Sequence, residues 1–461
     1  MINRPIRLLL VTDSYPPFVG GADRQVQMIA RAMHDAGHEV NVATPWQTGL
    51  PELEDEAGVT VHRIRALTTR VPWFSKDPRR RHHPPFPDPA TTLALRRIVR
   101  RFRPDAVHSY GWISYSAAAS LLGTQIPLLL SARDYGNVCA VRNFLYYRGS
   151  VCSGPAPLKC LRCAAFTYTQ DDAGNAVLGR VDAPVMTRHR IRGIGKSMVA
   201  VGGIFVGRAL LRANLRGVHS VSHFVRSVMD RHLLHLGERS LLSVAVDAVI
   251  PSFLPPDETG VPDETLLRLL PAEPYILFVG ALLPQKGIWP LLGAYRRLRP
   301  PAPPLVLLGP RFYNSPTDIP SGVVALGATS HATVMAAWER AMFGVVPSVG
   351  AETFGNVVTE AMSRGRPVVA SRLGGIVDII EDGASGLLVP AGNEEALAAA
   401  MQRLLDDDGL RSDLGNAARE RVEVFAASRV LPQFEALYRE LLSRCGPAGP
   451  GGHADGSHGS S

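Results

Sequence analysis

The chain spells out the same succession of elements twice, and that repetition constrains its fold more than any other feature. A short apolar run, Ile6–Val11, is followed by DRQVQMIARAMHDA at 23–36, whose apolar residues recur at helical spacing until Gly37 closes the helix. EVNVAT, AVHSYG, PLLLSA and GVHSVS continue as strands. After the Pro-rich turn PSFLPPDETG at 251–260 the pattern restarts with YILFVG, PLVLLG, VVAL, FGVVPSV, RPVVAS and GLLVP. The runs are nearly continuous in apolar character, as expected of parallel strands covered on both faces. With 461 residues, two cores are expected. The predicted class is α/β: two doubly wound Rossmann-like domains facing a cleft, with ligands at the carboxyl ends of the strands. The expected limits are 1–250 for the first domain, with an insertion at 135–216, a linker at 251–265, and 266–427 for the second. A helix at 428–445 is expected to pack back across the cleft, and 446–461 reads as a low-complexity, disordered tail.

Charge separates the halves. Residues 1–255 carry 32 Lys and Arg against 18 Asp and Glu, while the remainder carries 17 against 23. A basic first half points to an anionic surface or ligand on that side. Arg7 interrupts the first apolar run, which is too short for a secretory core. MVAVGGIFVG at 198–207 is about half of a bilayer span. The expectation is a cytoplasmic protein, with peripheral contact to the inner face of the cell membrane.

The chemistry concentrates in AETFGNVVTEAM, residues 351–362. A helix is expected to start near Asn356–Val357, placing Glu352 on the preceding loop and Glu360 in the first turns. The amides of Phe354, Gly355 and Asn356 would lie at the positive helix end, where an anion can be received. Gly355 allows close approach to the backbone, and a carboxylate such as Glu360 can hold a ribose diol. Lys286, in GALLPQKG, follows Gly280 and a strand, where an ammonium can meet a phosphate. Gly374-Gly375 follows another strand.

Together these residues, with YPPFVGGADRQVQ and GHEV near the amino terminus, resemble the retaining glycosyltransferases of family 4, which have the GT-B fold. The resemblance covers roughly residues 6–440. It implies transfer of a sugar from a nucleotide-sugar donor (a UDP- or GDP-sugar) to a glycan, lipid-linked or small-molecule acceptor, in cell-surface polysaccharide or glycoconjugate synthesis. No catalytic metal is implied. Glu360 would hold the ribose, Glu352 the donor sugar, Phe354–Val357 the sugar and diphosphate, and Lys286 the leaving diphosphate. Gly20 and Gly21 would bind the donor, lining the sugar-phosphate and acceptor side of the cleft. His108, Tyr110, Arg133 and Asp134 would face the acceptor. Tyr110 stands where the family has a second histidine, and Ala281 where it commonly has an arginine; Arg133 and Arg372 are the candidate replacements. A sugar-nucleotide epimerase of the same fold is the nearest alternative.

Two segments stand apart. Cys139, Cys152, Cys160 and Cys163 are spaced C-x12-C-x7-C-x2-C, compatible with a structural zinc, two labile disulfides or buried free thiols. Residues 70–89 and 188–216 combine cations with apolar residues, compatible with an anionic leaflet; a solvated loop is the equal alternative for 70–89, and a core helix is the favoured reading of 188–216. The glycines of 188–216 count against a helix there. A nucleic-acid-binding protein built on the basic half and a four-cysteine knuckle is the reading from another class. It is disfavoured because the cations are not interleaved as a stacking platform.

Overall fold

The structure is a computed structural model that describes residues 4–17, 21–67, 83–146, 151–177, 183–234, 244–254, 260–312 and 314–445; over 21–23, 168–177 and 183–192 it gives the backbone alone. Gly20, residues 70–82 of the basic loop and the tail from 446 lie outside the described residues.

The first unit runs β1 (Arg7–Thr12), α1 (Gly21–Asp35), β2 (Glu39–Pro45), β3 (Leu53–Glu56), β4 (Val59–Ile64), α2 (Pro89–Phe102), β5 (Ala106–Tyr110), α3 (Ile113–Ser120) and β6 (Leu128–Ala132). Two long helices follow, α4 (Pro157–Val177) and α5 (Ala183–Asn214), then β7 (Leu215–Ser220), α6 (His223–Met229) and β8 (Val246–Val249). Its eight strands are ordered β3-β4-β2-β1-β5-β6-β7-β8, all parallel except the β3–β4 hairpin. That hairpin (LEDE and VTVHRI) is polar on its outer strand and carries no apolar run by which the sequence would announce it.

The second unit contains α7 (Glu264–Leu267), β9 (Tyr275–Val279), α8 (Ile288–Arg296), β10 (Leu305–Leu308), β11 (Val323–Gly327), α9 (His331–Arg340) and β12 (Ala341–Val346). It continues with α10 (Asn356–Ser363), β13 (Val368–Ser371), α11 (Ile376–Ile379), β14 (Leu387–Val389), α12 (Glu394–Asp406) and α13 (Asp408–Val422). The parallel order is β11-β10-β9-β12-β13-β14.

Strand periodicity sorts the cores. Leu8 and Leu10 join one cluster with Val26, Ile29 and Met33 of α1, while Leu9 and Val11 join the opposite cluster with Leu95 and Val99 of α2. The cluster on the α2 side continues into the second unit, through Tyr275, Leu277, Trp338 and Val358. The last helix, α14 (Ala427–Cys445), leaves the second unit and lies on the first sheet, where Val430, Phe434, Leu437 and Leu441 pack beside α1. The outgoing and returning chains run side by side, the Leu254 N–H donating to Phe425 O at 3.0 Å. The closing helix is thus part of the first core.

α5 is continuous from 183 to 214, despite glycines at 193, 195, 202, 203 and 207. The glycine penalty is offset because two of these residues are contact points. A Cβ on Gly203 would stand 2.1 Å from Pro85 O, and one on Gly207 2.4 Å from the Tyr115 ring. The helix needs those glycines to lie against α3 and the 83–86 segment.

Candidate active site

Each sheet reverses its strand order once. In the second unit the chain moves outward from β9 to β10 and β11, then returns to the other side of β9 with β12. The loops after β9 and β12 therefore diverge, opening the crevice where doubly wound sheets bind ligands. Lys286 ends the 3₁₀ turn Pro284–Lys286 after β9, and Glu352 lies on the loop after β12. Their side chains meet, Lys286 Nζ donating to Glu352 Oε1 at 2.7 Å. Ser348 Oγ donates to the same oxygen at 2.7 Å. Lys286 is 37% exposed and Glu352 20%, so the pair is reachable from solvent. An ammonium carries three N–H donors; Glu352 takes one and leaves two for an incoming anion.

The Glu352 loop is fixed on both sides. The amides of Val349 and Gly350 donate to Gln285 O at 3.1 and 2.9 Å, tying it to the Lys286 turn. Gly375 N–H donates to Glu352 O at 2.8 Å. Gly374 has φ +67, and a Cβ there would fall 2.3 Å from Glu352 O. Only glycine permits this approach. From the first unit, Tyr135 Oη donates to Ala351 O at 3.0 Å and Ser222 Oγ to Thr353 O at 2.7 Å. Three consecutive carbonyls are thus held, two of them by the opposite unit.

α10 begins directly after this loop. Its N-cap is Gly355 at φ +119, which brings no side-chain acceptor. Among the described residues no side chain caps the amides of Asn356 and Val357, so the positive helix end faces the Lys286–Glu352 crevice uncapped. Phe354 turns inward, buried against Phe425. One turn into α10, Glu360 Oε1 meets His331 Nε2 at 3.2 Å, leaving its second oxygen available. Lys286, Glu352, Gly355–Val357 and Glu360 are therefore gathered at one sheet edge, and Ser348 and His331 join them. Ser348 could have been suspected from its place two residues beyond β12; nothing in the sequence marks His331.

The first unit reverses between β1 and β5. Here Asp13, just after β1, accepts from the amides of Trp112 and Ile113 at 2.9 and 2.8 Å and so occupies the N-terminus of α3. Arg142 contacts Asp13 at 3.4 Å and pairs with Asp134, while its guanidinium lies 4.9 Å from the Trp112 ring centroid. Asp134 is therefore at the cleft wall but engaged. The sequence reading missed Asp13 and Arg142, because their connection spans a separation of 129 residues.

Two family models match this chain: "Glycosyl transferase 4-like domain" over residues 20–173 and "Glycosyl transferases group 1" over 273–407, together well over half of its length. The chain is a family 4 glycosyltransferase of the GT-B fold. The glycosyltransferase is 25% identical to the D-inositol 3-phosphate glycosyltransferase of Paenarthrobacter aurescens, over 92% of this chain and 94% of that one. It is 33% identical to the phosphatidyl-myo-inositol mannosyltransferase of Mycolicibacterium smegmatis, over 41% of this chain; the match spans only 51% of that relative's length. Among solved structures, Anabaena Alr3699/HepE in complex with UDP and glucose superposes with a TM-score of 0.57 at 14% identity, covering 93% of the glycosyltransferase and 98% of that chain.

Several expected roles are corrected by placement. His108 does not face an acceptor. It is fully buried, its Nδ1 bonded to Tyr438 Oη at 2.8 Å and Tyr110 Oη at 3.0 Å. Burial, with His219 and Arg133 nearby, holds its pKa well below the usual imidazole value. Tyr110 is equally interior, its hydroxyl pKa raised by burial. Both proposed replacements for the missing cation beside Ala281 are engaged with other partners. Arg133 is bound to Gln25 and Ser252, bracing α1 against the linker. Arg372 is paired with Asp382. The cation on the loop adjoining Ala281 is Arg311. That loop packs directly on it: a Cβ on Gly309 would meet Gly280 O at 1.9 Å, and Leu282 N–H donates to Pro310 O at 3.0 Å. Gly280 itself thus serves this loop contact. Gly21 is the first residue of α1.

Proposed function

We propose that the protein is a retaining glycosyltransferase that moves a sugar from a UDP- or GDP-sugar to a glycan or lipid-linked acceptor. The supporting observation is the conjunction, at one switch point, of the Lys286–Glu352 pair, the uncapped start of α10 and Glu360. The diphosphate lies against the Asn356 and Val357 amides and Lys286 Nζ, where a phosphate complements the helix end. Glu360 takes the ribose diol through the oxygen that His331 leaves available, and Glu352 contacts the sugar hydroxyls. Arg311, whose Nη2 donates to Pro316 O and whose guanidinium has further donors, is the cation we offer in place of the residue missing at Ala281. In the transfer, the bond from the sugar C1 to the phosphate oxygen breaks, and a bond from C1 to the acceptor oxygen forms on the same face. The acceptor proton passes to the departing phosphate, so no protein base is required. Lys286 stabilises the charge that develops on that phosphate, often the largest catalytic contribution.

A lipid-linked acceptor agrees with the outer face of α5. Over the described side chains of this helix, from Gly193 on, the exposed residues are Ile194, Gly195, Met198, Val199, Gly202, Val206, Ala209 and Ala213, all within a single arc and none polar. An exposed apolar face suits contact with a leaflet. The segment Gly193–Asn214 is also long and apolar enough to span a bilayer, but 44% of its window is buried, which favours lying on the surface.

A thermal-shift screen of sugar nucleotides, followed by product analysis, tests this reading. Stabilisation by one nucleotide class and a product with the donor's anomeric configuration are expected. An inverted anomer, or epimerised nucleotide formed without acceptor, would refute it.

A further inference from the structure

The four cysteines of the insertion, separated by up to 24 positions in sequence, line a single cavity. Cys139 and Cys152 lie on the loop between β6 and α4, and Cys160 and Cys163 in the first turns of α4. All four border a cavity of about 20 Å3, together with Val138, Leu145 and Lys159. We infer that this cavity is a binding site for one zinc-class divalent ion held by the thiolates of Cys139, Cys152, Cys160 and Cys163.

The chemistry of the donor set fits. Four sulfurs and no oxygen or imidazole select a soft, tetrahedral ion. A volume that accommodates one water-sized body suits a single ion. The amides of Val141 and Phe144 reach the Cys139 sulfur, and that of Ala156 the Cys160 sulfur. Amides directed at sulfur stabilise thiolates. The double negative charge of a tetrathiolate centre is opposed by Lys159 on the cavity wall and by Arg208, whose charge acts on Cys160.

Among the described residues no three His, Cys, Asp or Glu side chains are set around a common point as metal ligands; the four thiols border the cavity without converging on one point. As thiols, Cys152 and Cys163 donate to the carbonyls of Gly154 and Leu145, each at 3.6 Å. Metal binding exchanges the four thiol protons for the ion, with side-chain rotation bringing the sulfurs onto it.

The site also reaches the active-site loop. Leu145 borders the cavity, and its Cδ1 is 3.1 Å from where a Cβ of Gly350 would stand. Phe144 stacks on Tyr135 at 5.0 Å between ring centroids, and Tyr135 binds Ala351. The ion would brace the wall against which the Glu352 loop rests.

The test uses the full chain purified under reductant. Elemental analysis is expected to give about one zinc per chain, with release of the ion by a mercurial reagent. Replacement by Co2+ is expected to give the sulfur-to-cobalt charge-transfer and intense d–d bands of a tetrahedral thiolate site. Cys160→Ser with Cys163→Ser should lose the ion and the bands, while Cys445→Ser, outside the cavity, should keep both. If the double variant does not fold, the cobalt spectrum of the unaltered chain carries the test. Well under one zinc per chain after zinc supply, with no cobalt spectrum, overturns the inference. So does a mass four hydrogens lighter, indicating two disulfides, or a brown protein containing iron and sulfide.

Discussion

The two switch points share a topology and differ in what occupies the helix end beside them. At the first, Asp13 is already bonded to the start of α3, and Arg142 stands against it. At the second, α10 starts at a glycine, and the charged pair beside it keeps donors to spare. A helix terminus that carries its own carboxylate is structurally satisfied; one that carries none remains ready for an anion. The same fold element is thus closed by a carboxylate in one unit and left open to an anion in the other, and one side chain makes the difference.

The strongest way to break this contrast is at the second switch point. Lys286→Ala should lower turnover by about 10²- to 10³-fold, corresponding to about 3–4 kcal/mol of lost stabilisation of the leaving phosphate. The melting temperature should change little, because the pair is partly exposed and such pairs contribute little to stability. Turnover near that of the unaltered protein would remove Lys286 from the mechanism.

Asp13→Ala should show the reverse at the first switch point. It strips two amides and a guanidinium of their acceptor at a buried position. Unfolding free energy should fall by roughly 2–3 kcal/mol, within the cost of leaving buried donors unpaired. Denaturant titration measures it. A loss of activity without loss of stability would mean that the first terminus, too, is functional.

How much of this could be read beforehand follows from contact range. The apolar runs of β1, β2, β9 and β12 were legible because a strand covered on both faces must be apolar throughout. The Lys286, Glu352 and Glu360 constellation was legible as a motif, since each residue follows a strand end at fixed spacing. Asp13 with Arg142, and His331 with Glu360, were not, because no local signal relates partners that only the folded sheet brings together. His108 was misread for the same reason. Its environment is set by α14, some 330 residues onward. The glycines of α5 counted against a helix because glycine propensity is local, whereas the contacts of Gly203 and Gly207 are tertiary.

The units should also differ in acid. The first buries His83, His108 and His219, all with pKa values lowered by burial, His219 to about 3. Between residues 251 and 445 the sequence has a single histidine, His331. An imidazole that ionises near 6.5 when unfolded and near 3 when folded binds more protons unfolded. Its contribution is therefore complete above about pH 6.5 and lost as pH falls toward 3, at up to about 1.4 kcal/mol per pH unit for each such group. Hydrogen exchange at pH 5 should show the first unit opening before the second. Earlier opening of the second unit would contradict this assignment.

The smallest expected effect tests the contact between the units. Tyr135 and Tyr275 each donate a buried hydroxyl to a carbonyl, Tyr135 across the cleft to Ala351 at 3.0 Å and Tyr275 within the second unit to Ala337 at 2.7 Å. Removing either hydroxyl by Tyr→Phe should cost about 1 kcal/mol, but in different measurements. Tyr275→Phe lowers unfolding free energy and leaves donor affinity alone. Tyr135→Phe releases the carbonyl immediately before Glu352, so part of its cost should appear as a roughly twofold weaker donor affinity, measured by calorimetric titration. Equal donor affinity in the two variants would mean that Ser222, Gln285 and Gly375 suffice to hold the Glu352 loop. The grip of the first unit on that loop would then rest on Ser222 and not on Tyr135.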